Sequence, residues 1–239
     1  MSPLEIILVS SIGVLIFIII VILIIFHYYA HSKVDRVLDF KVFNKYAPEN
    51  PIVFLGDSLT EFYHIHEFFH INKLCNRGIS GETTLDVLKR IDDVTCLNPS
   101  ALFLQIGIND ILYNKKVTAT EVLDHIDAIV KCFDKNKTKI YITSLSPLNT
   151  TQFISKVLAR HANNKRIQEV NTILKNYCYN NNITYIDIYS HLCDENGNLV
   201  RSYSIEGLHF AASGYSVATK ILKPYVYDAL NISLLQNRK

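Results

Sequence analysis

The chain has 239 residues, of which 49% are hydrophobic and 19% charged, enough apolar material for a sizeable core and too ordered a composition for a mainly disordered chain. Lys and Arg number 24 against 22 Asp and Glu, a formal charge of +2. With no block of five or more basic residues, this excludes the electrostatic footprint of a nucleic-acid binder. Five cysteines, Cys75, Cys96, Cys132, Cys178 and Cys193, stand singly and in odd number, so they predict neither a disulfide framework nor a zinc knuckle and read as small buried or half-buried thiols.

The first element is an apolar run. Over 6–26 every residue is apolar or small, interrupted only by Ser10, Ser11 and Gly13, and its length matches the roughly 20 residues that cross a bilayer as a helix. A cleaved signal would carry a basic start and a small-x-small cleavage site. The start Met-Ser-Pro-Leu-Glu and the exit into His27-Tyr28-Tyr29-Ala30 provide neither. The run therefore predicts an uncleaved transmembrane helix over 4–27, with Tyr28 and Tyr29 suited to the membrane interface. Lys33, Arg36, Lys41 and Lys45 follow it, which by the positive-inside rule places the rest of the chain in the cytoplasm. Unpaired cysteines point the same way. Against this stand the Asn-x-Ser/Thr sequences at Asn136, Asn149, Asn182 and Asn231, which would be glycan acceptors in a secretory compartment.

A juxtamembrane lead-in is expected over 28–50, with an amphipathic stretch at 34–46, and one domain over 51–230, because no Pro/Gly/Ser-rich linker divides it. Within that domain, short β-branched runs at 52–55, 73–76, 101–106, 139–143 and 184–188 alternate with longer segments of helical period. Helices are predicted over 83–91, from a cap at Thr118 through Val122, Ile126, Ile129 and Phe133, over 159–179, and over 211–229 with Pro224 inside. The alternation predicts an α/β domain: a three-layer α/β/α sandwich with a five-stranded parallel sheet.

In such sheets the binding crevice lies beyond the carboxyl ends of the strands. Gly56-Asp57-Ser58 follows the first predicted strand, Gly78-Ile79-Ser80-Gly81 the second and Gly107-Ile108-Asn109-Asp110 the third, so all three should meet on one rim. A serine hydroxyl needs a general base to become a nucleophile, and the tetrahedral intermediate it forms needs preorganised donors for the developing oxyanion. Ser58 is the candidate nucleophile, the Gly81 backbone N–H and the Asn109 side-chain amide are candidate oxyanion donors, and His209 is the candidate base. Glu206, three residues upstream, can orient the imidazole and stabilise its protonated form.

These blocks, in this order, resemble the SGNH hydrolases, also called the GDSL esterase/lipase family, over about 51–227. Gly56-Asp57-Ser58-Leu59 is similar to the family's nucleophile block. Asn76-Arg77-Gly78-Ile79-Ser80-Gly81 looks like its second block and Gly107-Ile108-Asn109-Asp110 its third. The resemblance implies a flavodoxin-like fold, Ser58, His209 and Glu206 as catalytic residues, Gly81 and Asn109 as the oxyanion hole, no cofactor and no metal. The run Asn76 to Thr84 is closest in flavour to bacterial proteins akin to platelet-activating-factor acetylhydrolase subunits. Two positions depart from the family: Glu206 stands where Asp is usual, adding a methylene between backbone and carboxylate, and Phe210 stands where Pro is frequent.

The expected activity is hydrolysis of a small-molecule carboxylic ester, a short acyl group on a carbohydrate or a lysophospholipid, through an acyl-serine intermediate. Two other readings share the constellation: an O-acyltransferase that resolves the same acyl-enzyme with an acceptor hydroxyl, and a silent anchored binding module. The G-x-S-x-G elbow of another hydrolase fold is absent, since Thr60 stands two residues past Ser58. No Gly-Lys-Ser/Thr follows Gly81, which argues against a nucleotide loop, and His64, His66 and His70 have no carboxylate at ligand spacing and read as solvated or cleft-lining. Glu61 to Phe69 and Ile111 to Val117 are the segments expected to line the acyl pocket.

Overall fold

A computed structural model of the protein describes residues 3–152 and 163–231. The chain divides into two compact units, Met1–Phe43 and Asn44–Lys239.

The first unit is a single helix, α1 (Pro3–Phe43). The run expected to span a membrane and the start of the amphipathic stretch at 34–46 are one element, because no Gly or Pro between them interrupts helical backbone hydrogen bonding. Large apolar side chains are exposed on all sides of it, among them Phe17, Leu23 and Ile25. The expectation of a transmembrane helix over 4–27 finds no support here: among the described residues no helix is long and apolar enough to cross a membrane.

The second unit alternates strands and helices: β1 (Ile52–Gly56), α2 (Ser58–Glu61), α3 (Ile65–Phe69), β2 (Leu74–Gly78), α4 (Thr84–Lys89), α5 (Asp92–Thr95), β3 (Ala101–Gln105), α6 (Ile108–Tyr113) and α7 (Ala119–Lys131), then β4 (Lys139–Thr143), α8 (Asn164–Asn180), β5 (Thr184–Ile186), α9 (Tyr189–Leu192) and α10 (Ala212–Ala229). The five strands form one parallel sheet in the order β2-β1-β3-β4-β5, the doubly wound flavodoxin-like order.

Each predicted strand is present, with small shifts that have local causes. β5 stops at Ile186 because the Ile188 N–H donates to the Ser144 hydroxyl (2.9 Å) and leaves the ladder. The helix read from 83 begins one residue later because Thr83 is its cap, exchanging bonds with Asp86 in a capping box. Thr118 caps α7 in the same way with Glu121. α8 starts at Asn164, capped by the Asn163 side chain, and the first residues of the predicted helix, 159–162, lie outside the described residues. The cysteines need one correction: Cys75 and Cys178 are buried and Cys193 half-buried, but Cys96 and Cys132 are exposed, because both fall on the C-caps of helices, at α5 and α7 respectively.

β1 is buried along its whole length, as a parallel sheet covered on both faces requires. Val53 and Leu55 point into one core with Val87, Ile126, Ile129 and Val170 from α4, α7 and α8. Ile52 and Phe54 point into the other with Ile65, Leu192, Tyr215 and Leu222 from α3, α9 and α10. On this second face one aromatic ring per strand stacks along the register: Phe54 on Phe103 with ring centroids 4.8 Å apart, and Phe103 on Tyr141 at 4.5 Å. Of the four candidate glycan acceptors, Asn149 is buried and its amide donates to the Leu199 carbonyl (2.8 Å), so in the folded chain it is not available for modification.

Candidate active site

The sheet order sets the site. β1 lies between β2 and β3, so the loop after β1 that carries Ser58 is flanked by the loop that carries Gly81 on one side and by the loop that carries Asn109 on the other. Asp57 caps α2, its carboxylate accepting the Leu59 N–H (3.0 Å), and Ser58 is the first residue of that single-turn helix.

His209 comes from the far end of the chain. Residues 204–210 fold into a tight turn in which Ser204 bridges Phe210, the Ile205 N–H donates to the His209 carbonyl (2.9 Å) and the Gly207 N–H donates to the Ser204 hydroxyl. The turn brings Glu206 back onto His209: Oε1 accepts the backbone N–H of His209 (3.0 Å) and lies 2.5 Å from Nδ1. Nε2 lies 2.9 Å from Ser58 Oγ. Both contacts are satisfied together when the imidazole carries its proton on Nδ1, leaving Nε2 to accept from the serine. The longer Glu206 side chain therefore reaches Nδ1 from this turn, and the neighbouring Phe210 is buried edge-on to Tyr215. Phe62, itself exposed, packs edge-on to the His209 ring, centroids 5.5 Å apart.

The family pattern described as the GDSL-like Lipase/Acylhydrolase family matches residues 54–217, more than half of the chain and all of the residues just placed. The chain belongs to that family. A Streptococcus pneumonia structure described as a platelet activating factor is 26% identical to this GDSL-like family member, with a TM-score of 0.77 over 87% of this chain and 99% of that one. A GDSL-like lipase from Bacteroides thetaiotaomicron VPI-5482 is 25% identical, with a TM-score of 0.71 over 81% and 98%. Among curated proteins, an N-acylneuraminate cytidylyltransferase of Streptococcus agalactiae is 28% identical over 170 residues, 71% of this chain and 36% of the relative. The chain thus spans about a third of the length of the curated relatives it matches.

Around the site of this GDSL-like family member, several side chains that sequence reasoning passed over hold the parts in place. The Asn109 amide donates to the Glu82 carbonyl (2.9 Å); an amide nitrogen has two protons, so the bond fixes the group and leaves one proton to offer. Glu82 is held in turn by a buried pairing with Arg90, whose Nε lies 2.7 Å from Oε1. Asp110, next to Asn109, accepts both the backbone N–H (2.9 Å) and the hydroxyl of Thr84, tying the β3 loop to the start of α4. The Tyr215 hydroxyl donates to the Leu59 carbonyl (2.9 Å), and Tyr63 bonds Thr219, so α10 grips the segment bearing the serine. None of these partners is close in sequence, and only the polar residue types in otherwise apolar stretches signalled them.

Asp57 is fully buried. Burial pushes its carboxyl up to about 7, the charges of Asp110 and Glu82 adding to the effect and the Leu59 N–H opposing it. Burial likewise raises Asp110, against its bonds from Thr84. The three carboxyls are thus a buried acidic group behind the serine. His64, His66 and His70 are exposed, His64 lying 3.8 Å from Glu67.

Proposed function

We propose that the chain hydrolyses a carboxylic ester through an acyl-Ser58 intermediate. The observation that carries this reading is the unbroken chain of hydrogen bonds from Ser58 Oγ through His209 to Glu206. In the first step His209 Nε2 takes the hydroxyl proton as Oγ bonds to the acyl carbon, and the carbonyl electron pair moves onto oxygen. The Gly81 N–H and the Asn109 amide are the donors for that oxyanion. Collapse expels the alcohol, which leaves with the proton from Nε2. Water, deprotonated by the same nitrogen, then attacks the acyl carbon; collapse breaks the bond to Oγ and releases the carboxylic acid, while Nε2 hands its proton to Oγ and restores Ser58. Glu206 keeps the imidazole oriented and offsets its positive charge. Hydrolysis of p-nitrophenyl acetate by the full-length chain, lost in Ser58→Ala, is the expected result; equal turnover by that variant would sink the reading.

We further propose a short acyl group on a carbohydrate or a lysophospholipid as substrate. The sugar named in the curated relatives supports the first and the lipid named in the Streptococcus pneumonia structure the second. Acetate release from O-acetylated sugars, set against fatty-acid release from lysophospholipids, separates the two. The third proposal is that 4–27 anchors the enzyme in the cell membrane with its catalytic domain facing the cytoplasm. A helix apolar on every face needs an apolar surrounding, and Lys33, Arg36, Lys41 and Lys45 follow it. Release of the full-length chain from membranes by alkaline carbonate would overturn the anchor, and cleavage of the domain by protease added outside intact cells would overturn the orientation.

A further inference from the structure

Ser58 and Glu61 are the first and last residues of the same helical turn, α2. Glu61 Oε2 accepts from both donors of Ser80, its backbone N–H at 2.6 Å and its hydroxyl at 2.5 Å. Beside this clip, the Asn76 amide donates to the Thr60 carbonyl (2.6 Å) and the Tyr63 carbonyl (3.1 Å), while its oxygen accepts the Gly78 N–H (2.9 Å). The two backbones touch: a Cβ added at Gly78 would sit 2.2 Å from the Glu61 nitrogen. The segment that ends in Gly81 is thereby fastened to the turn that begins with the nucleophile.

We propose that Glu61 is a positioning residue that sets the direction of the Gly81 N–H, a role that rests on the reading of Ser58 as nucleophile and Gly81 as oxyanion donor. The Gly81 N–H belongs to the peptide plane joining it to Ser80. With the nitrogen and the hydroxyl of Ser80 both held by one carboxylate oxygen, Ser80 has a fixed Cα, and the Glu82 N–H to Ile79 carbonyl bond (3.3 Å) closes the turn from the other side. Little rotation is left to that plane. The benefit is geometric rather than electrostatic, since a negative charge near a developing oxyanion opposes it. Glutamine keeps a carbonyl oxygen that can take both Ser80 donors, whereas aspartate keeps the charge but withdraws the acceptor by one carbon–carbon bond, about 1.5 Å.

The test compares kcat and KM for p-nitrophenyl acetate in full-length wild type, Glu61→Asp and Glu61→Gln, with thermal unfolding followed in parallel. A displaced donor lowers kcat and leaves KM nearly alone, so Glu61→Asp should lose about 10- to 100-fold in kcat. Glu61→Gln should stay within about threefold of wild type, because its acceptor is in place. A Glu61→Gln as impaired as Glu61→Asp, a Glu61→Asp with unchanged kcat, or a loss that follows unfolding temperature alone would overturn the proposal. Labelling of wild-type Ser58 by a fluorophosphonate keeps the two ideas apart. If wild type neither labels nor turns over, the nucleophile reading has failed; if it does both and the variants fall in another order, the role of Glu61 has failed.

Discussion

Ser58 Oγ and His209 Nε2 stand 2.9 Å apart although 151 positions separate the two residues in the chain. Two features hold them there. The turn at 204–210 fixes His209 on Glu206, and α10, which begins just past that turn, reaches back through Tyr215 to the Leu59 carbonyl beside the serine. Ser58→Ala and His209→Ala should each lower kcat by roughly a million-fold, and the double variant should be no worse than either, because the pair acts as a unit. Additive losses in steady-state ester hydrolysis would contradict a shared proton transfer.

Glu206 gives one oxygen to both N–H groups of His209. Glu206→Gln preserves an acceptor but removes the charge that steadies the imidazolium, and kcat should fall by up to about 10⁴-fold with little change in KM. Glu206→Asp restores the charge from a backbone position suited to a longer side chain and should recover only part of the loss. Full activity in Glu206→Gln would take the carboxylate out of the mechanism.

Asp57 imposes a pH dependence on stability. In the folded chain it keeps its proton up to about 7, whereas an exposed Asp releases it near its ordinary 3.8. Between those values the folded state binds a proton that the unfolded state has lost, so stability should fall as pH rises from about 4 to about 7 and level off above. Asp110, also raised by burial, adds to the same slope. Asp57→Asn retains an oxygen for the Leu59 N–H and removes the ionisation. Urea unfolding at pH 5 and pH 8 should show a flatter profile for the variant and a gain over wild type at pH 8 of up to about 4 kcal/mol. A steeper profile in Asp57→Asn would refute the assignment.

Gly78 is where β2 meets α2. Alanine there would place its Cβ 2.2 Å from the Glu61 nitrogen and 2.7 Å from the Thr60 carbonyl carbon, backbone atoms that cannot rotate away. Gly78→Ala should destabilise the domain by about 3 kcal/mol or more and lower kcat in whatever fraction stays folded, because α2 carries Ser58. An unchanged melting temperature would show that the two segments can separate freely.

Much of this was legible in the chain itself. The five β-branched runs became the five strands, since a parallel sheet buried on both faces leaves a short continuous apolar signature. Thr118 announced its helix because a cap is a local bond between residues three apart, whereas Thr83 was read as the first helical residue and is the cap. The exposed Cys96 and Cys132 were misread as interior because residue type alone does not say on which side of a helix end a thiol falls. The clip between Glu61 and Ser80, the Asn76 staple and the Asp110–Thr84 link escaped because their partners lie on different elements, 13 or more positions apart in the chain, and polar pairs of that kind leave no periodic trace.

The sequence by itself determined the alternation of strands and helices, the three loop blocks after the first three strands, and the residue types able to do acyl chemistry: Ser58, His209, Glu206, Gly81 and Asn109. These follow from local propensity and from the chemistry a side chain carries wherever it stands. Only the tertiary structure decided that β1 lies between β2 and β3, so that the loops carrying Gly81 and Asn109 flank the one carrying Ser58, and that a glutamate at 206 reaches the imidazole. It alone buried Asp57 among other carboxyls and shifted its proton affinity. Distances across the sheet and the loss of water around a charge are properties of packed neighbours, and packing is settled by the whole chain at once.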